Sequence, residues 1–170
     1  MKKLSILIAL SLQTLTSVCL AENTDSLKFY IVEPDSKPGL TKVDFMHLDC
    51  TGWIHTEADL SMPQIDRAYV TPPGKQWTHR DSKLNIIERG ETTYWGLNIT
   101  FTKENVTAFE RLTEKAVGRK VLIMLGDTPL LAATVIRPIS SRFIELTLKS
   151  ESLANSAEKR LKAISKKQTP

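Results

Sequence analysis

Two histidines and a cysteine are the most suggestive donors in this chain. His47, Cys50 and His55 stand in the spacing H-x2-C-x4-H. Two imidazoles and a thiolate are donors that zinc takes. Asp44, Asp49, Glu57 and Asp59 lie near enough in sequence to offer a fourth ligand. Zinc signatures usually pair their ligands at tighter spacings, so the reading adopted is a buried cysteine with two unrelated histidines. Cys50 with a histidine is also a formal nucleophile–base pair, but geometry, not residue type, defines such a pair. The chain contains no Gly-x-Ser-x-Gly, Gly-rich phosphate loop or His-Glu-x-x-His. Glu104, Glu110 and Glu114 fall on the solvent side of an expected helix and serve to solvate it. No catalytic residue, metal ligand or cofactor is assigned, and the chain is expected not to be an enzyme.

Binding chemistry is a different matter. Trp77 and His79 lie in the polar stretch Lys75–Lys83, after Thr71-Pro72-Pro73-Gly74. A tryptophan on an exposed loop is a natural anchor for a partner. Trp53 follows Gly52 in a short strand and is a second candidate. Trp95 follows the inward period of its strand and belongs to the core. Trp77, Trp53 and His79 are therefore the candidate partner-binding residues.

These residues need a scaffold, and the sequence outlines one. Leu27–Val32 is rich in strand formers. Pro34, Pro38 and Gly39 break the chain. Val43–Leu48 and Gly52–Thr56 are further strand candidates. Ser61–Ala68 suggests one or two helical turns, with Ser61 as cap and Pro63 in the first turn. Lys75–Lys83 is expected as a loop. Leu84–Glu88 and Thr93–Phe101 suggest a hairpin around Arg89-Gly90-Glu91. Trp95, Leu97, Ile99 and Phe101 share one face of the second strand. A helix is expected over Lys103–Val117, capped by Thr102, with Val106, Phe109, Leu112 or Thr113, and Ala116 in one stripe. Gly118 occupies the left-handed position after it. Val121–Leu125 reads as a central strand and Leu130–Ile136 as its antiparallel partner across a Gly126–Pro129 turn. Arg142–Leu148 alternates again, and Ser150 caps a last helix carrying Leu153, Ala157, Leu161 and Ile164. This pattern predicts an α+β fold, a mostly antiparallel sheet with two main helices packed on one face.

Composition narrows the partners. Met1-Lys2-Lys3, the apolar run Leu4–Val18 and the ending Cys19-Leu20-Ala21 read as an export signal spanning residues 1–21, cleaved before Glu22. The alternative is a lipoprotein anchored through Cys19. The run is too short and polar to span a membrane. The signal carries two lysines and no acid, so the net charge of +4 on the 170 residues falls to +2 after cleavage. That balance gives no reason to expect nucleic acid as a partner. Residues 22–165 are expected as a single domain, with 166–170 as a frayed tail.

Leu97–Thr102, Phe109-Glu110-Arg111-Leu112-Thr113, Val117-Gly118-Arg119-Lys120, Val121–Leu125, Gly126-Asp127 and Val135–Ile139 follow in an order that carries a family likeness. From Leu60 to Ile164 the chain resembles the head of the first large periplasmic domain (P1) of SecD, a subunit of the protein translocase. It departs from that family at Gly126-Asp127, at Ala132-Ala133-Thr134 and at Ser140-Ser141, and it lacks the transmembrane part. The resemblance implies a SecD-head-like periplasmic module that contacts an exported or envelope polypeptide by a sheet edge or an exposed loop. The alternative expectation is an inhibitor or immunity-type protein for an envelope-acting toxin or hydrolase.

Overall fold

The computed structural model describes residues 25–74, 76–80 and 82–165. The expected signal, the Cys19 anchor and the tail lie outside them. Among the described residues there are eleven strands and two α-helices, of which seven strands and both helices build one principal core.

The first sheet has the order β10-β9-β1-β4, formed by Thr128–Thr134, Lys120–Leu125, Leu27–Val32 and Leu60–Met62. The second has the order β11-β8-β5, formed by Phe143–Leu148, Trp95–Thr100 and Arg67–Thr71. All the pairings in both sheets are antiparallel. Helices α1, Lys103–Lys115, and α2, Glu151–Ala163, pack into the same core as the inward faces of both sheets. The α+β reading therefore holds, with two sheets sharing the principal core and two further two-stranded hairpins.

The core forms where alternation dictates. Phe29 and Ile31 of β1, Leu97 and Ile99 of β8, Val121 and Leu125 of β9, and Leu146 and Leu148 of β11 are all buried. Phe29, Phe101 and Phe109 form an aromatic cluster with ring centroids 4.8–6.3 Å apart. Rings at that spacing stabilise beyond their buried area. Helix α1 supplies Phe109, Leu112 and Thr113. The Thr113 hydroxyl donates to the Glu110 carbonyl at 3.0 Å and accepts from the Ile139 amide at 2.9 Å, which ties the crossover after β10 to the helix. Thr102 is the N-cap residue, without a side-chain cap bond, whereas Ser150 caps α2 through its hydroxyl. Gly118 takes the left-handed conformation, φ +78°.

Four local expectations are corrected. Ser61–Ala68 is not helical. Met62 pairs with Leu27, and Ala68 pairs with Ile99, so β4 and the start of β5 occupy that stretch. The partner strands lie far away in sequence, and their hydrogen bonds override a weak local cap signal. Lys75–Lys83 is not a loop, because Gln76–Arg80 forms strand β6. Its partner is β7, Ile86–Glu91, so Arg89-Gly90-Glu91 lies within a strand and the proposed hairpin with Thr93–Phe101 does not form. The described residues of this hairpin are mostly exposed, so it has no buried face to print an alternating pattern. Finally, the strand expected over Val43–Leu48 is β2, Leu40–Phe45. Met46–Leu48 is a 3-10 turn, closed by an Asp49 N–H to Met46 carbonyl bond of 3.0 Å with Asp49 at φ +49°. Asp is among the few residues that adopt that conformation readily.

Candidate functional site

The hairpin of β2 and β3 (Cys50–His55) covers the outer face of the first sheet. Cys50 and Ile54 pack with Tyr30, Val32 and Leu122 in a second, smaller core. Gly52 makes this approach possible. A Cβ there would stand 2.5 Å from a Val32 methyl and 2.8 Å from the Glu33 carbonyl oxygen. Glu33 and Trp53 exchange backbone hydrogen bonds of 2.8 and 2.9 Å, so Trp53, half-buried, stands in the seam joining hairpin to sheet. The Glu33 carboxylate bonds Arg119 at 2.6 Å and Lys37 at 3.2 Å. These contacts hold its pKa below the usual carboxylate range, with Lys37 the largest cause.

This arrangement separates the three metal-type donors. Cys50 is fully buried and unpaired. Burial, the largest cause, pushes its thiol pKa up, which disfavours the thiolate that a nucleophile or ligand needs. His47 lies on the 3-10 turn beyond the Phe45/Cys50 end of the ladder, edge-on to Phe45. His55 lies at the opposite end, beside Leu40. Five strand residues place His55 roughly 17 Å from Cys50. Among the described residues no three His, Cys, Asp or Glu side chains gather to hold a metal.

The arm formed by β6 and β7 carries the other two candidates. Trp77 lies opposite Gly90 and His79 opposite Glu88 in the ladder. The register then slips, so that Arg80 faces Ile86 and Ile87 is left over as a bulge. Near the tip three apolar side chains are exposed: Leu84, Ile87 and Ile86, at 72%, 61% and 36%. Leu84 also holds φ +66°, a conformation that costs a side-chain-bearing residue about 1–2 kcal/mol.

A third feature was not read from the sequence. A groove of about 670 Å³ opens where the 3-10 turn, the first half of β10, the end of β11 and the start of α2 converge. Met46, Tyr94, Leu131, Leu148 and Leu153 line it, with Lys149 at its rim. Met46 is 84% exposed. The turn is held in place by Lys120, whose ammonium bonds the Asp49 carbonyl and, at 2.8 Å, its carboxylate. That contact lowers the Asp49 pKa. The groove draws on four regions distant in sequence, and no local motif marks such a convergence.

Two packed antiparallel sheets with two helices in a shared core define the fold class, a SecD-head-like α+β module. Among solved structures it is similar to one of SecDF, described as a membrane component that enhances protein export, and to SecDF crystallised in a super-membrane-facing form. Each match has a TM-score of 0.51 at 16% identity and covers 82% of this chain. The chain spans 62% of the first and 19% of the second. No family model matches it, and no curated protein matches it. Among the described residues no helix is long and apolar enough to cross a membrane.

Proposed function

We propose that this protein is a non-enzymatic module that binds a polypeptide in the bacterial envelope. The observation that carries the reading is the groove between Met46, Leu131, Leu148 and Leu153. Exposed Met46, with half-buried Leu131 and Leu153 beside sheet edges, suits an extended segment with alternating apolar residues. The SecD-head-like fold supports the reading, since SecDF enhances protein export. The expected periplasmic location and export signal belong to this same proposal. The test is capture of envelope polypeptides by the purified protein and by Met46→Asp and Leu153→Asp variants. Retention by the native protein and loss in both variants is the expected result. Equal retention by all three, or none by any, overturns the reading.

The β6–β7 arm favours a second reading, an inhibitor or immunity-type protein. A hairpin arm with Leu84, Ile86 and Ile87 exposed near its end suits insertion into another protein's cleft. Capture of one enzyme or toxin, lost on Leu84→Asp and unaffected by Met46→Asp, would select it over the first.

A further inference from the structure

The inner face of the first sheet is not covered across its whole width. Residues opposite each other in an antiparallel pair share a face. Phe29 pairs with Ile123, and Ile123 with Leu131; Ile31 pairs with Val121, and Val121 with Ala133. Both rows therefore face the core. Helix α1 packs on the first row, where Phe109 meets Phe29 at a ring-centroid distance of 5.2 Å. Phe29, Ile31, Val121 and Ile123 are buried, yet Ala133, at the outer end of the second row, is exposed. A second groove, of about 370 Å³, opens there between α1, β9, β10 and the crossover after β10. Pockets for small ligands span roughly 300–1,000 Å³.

The lining narrows the guest. Phe29, Phe109, Val121, Ile123 and Val135 reach the groove from the core, and Ile136, 87% exposed, adds to its rim. The Thr113 hydroxyl also lines it, but it already donates to the Glu110 carbonyl and accepts from the Ile139 amide. A peptide backbone or a sugar laid on this floor would bury polar groups without partners, a cost that hydrocarbon does not carry. Among the described residues of the lining, Arg137 alone is charged. It is exposed, and no described residue forms an ion pair with it. An apolar trough with one unpaired guanidinium at its rim complements a hydrocarbon chain that ends in one anion. The planar guanidinium fork matches a carboxylate.

We propose that this groove binds the alkyl chain of a fatty acid, with the carboxylate on Arg137. It shares no lining residue with the groove at Met46 and Leu153, so the proposal stands apart from polypeptide binding.

The test is isothermal titration of the purified protein with hexanoate, octanoate, decanoate and dodecanoate, each below its micelle concentration. Saturable binding is expected, with affinity rising about fourfold per methylene until the groove is full. Decyltrimethylammonium, a cation on a similar chain, should bind more weakly than decanoate. Arg137→Glu should weaken decanoate about tenfold and reverse that preference. Ala133→Phe should abolish binding of both by filling the groove. Ile136→Asp, at an exposed position, should weaken dodecanoate and takes the place of Ala133→Phe if that variant does not fold. Met46→Asp should bind as the native protein does. Absence of saturable binding overturns the proposal, as does equal affinity for decyltrimethylammonium. Full binding by a folded Ala133→Phe variant overturns it too, and so does loss in Met46→Asp, which would move the ligand to the other groove.

Discussion

Arg160 of α2 grips Asp25 at the entrance to β1, with its Nε 2.9 Å from Asp25 Oδ2. The same guanidinium bonds the Leu125 carbonyl and the Thr128 hydroxyl, each at 2.8 Å. One side chain thus joins the last helix to the start of β1 and to the turn between β9 and β10. The pair is mostly buried, at 29% and 19% side-chain exposure. The bond to Arg160 lowers the Asp25 pKa, and the Arg160 pKa is raised in return. Arg160→Met should cost about 2–3 kcal/mol at neutral pH, because it strands a partly buried carboxylate. A lowered carboxylate pKa stabilises the fold above the unfolded-state value. That contribution is lost as pH falls through the folded value. The gap between native and variant should therefore close on acidification. Urea unfolding at pH 7 and pH 3 measures it, and a gap unchanged at low pH would refute the assignment.

Gly52 and Gly96 should respond differently to an added methyl group. At Gly52 the new carbon meets Val32 and the Glu33 backbone, neither of which can yield without lifting the hairpin. Gly52→Ala is expected to cost about 1–3 kcal/mol, the usual range for overpacking. At Gly96 the nearest atom is the Glu145 carboxylate oxygen, 2.4 Å away at the end of a flexible side chain. Gly96→Ala should cost under about 1 kcal/mol. Denaturant titration of both variants checks the contrast.

Cys50 should behave as a core residue and not as a reagent. Its raised thiol pKa and full burial predict that a thiol-specific probe at pH 8 labels the native protein far more slowly than the urea-unfolded chain. Cys50→Ser should destabilise by about 1–3 kcal/mol through a buried hydroxyl. Rapid native labelling would show that the β2–β3 hairpin opens readily.

Leu84 keeps a large apolar side chain in a backbone conformation that suits asparagine or glycine. Leu84→Asn should leave the melting temperature unchanged or raise it by a few degrees, on the order of 1 kcal/mol. A drop of more than about 1 kcal/mol would mean that Leu84 packs at the tip in a way its exposure does not suggest.

Local chemistry alone determined a good part of this protein. The periods in Trp95–Phe101, Lys103–Val117 and Arg142–Leu148 marked β8, α1 and β11, because the face of each that meets the core must carry its apolar residues at the repeat of the element. Burial of Cys50 was expected on different grounds, since an unpaired cysteine behaves as a small hydrophobe. The sheet partner of each strand was not legible. Ser61–Ala68 and Lys75–Lys83 carry little apolar periodicity, and their strand conformation rests on hydrogen bonds to Leu27–Phe29, to Trp95–Thr100 and to Ile86–Glu91. Trp77 and His79 were singled out by residue type, and only the β6–β7 ladder places them, on an arm and not in a loop. The groove at Met46, Leu131 and Leu153 arises only when distant segments converge. Sequence spacing reports which faces are apolar, whereas tertiary packing decides which of those faces, and which backbone groups, remain uncovered.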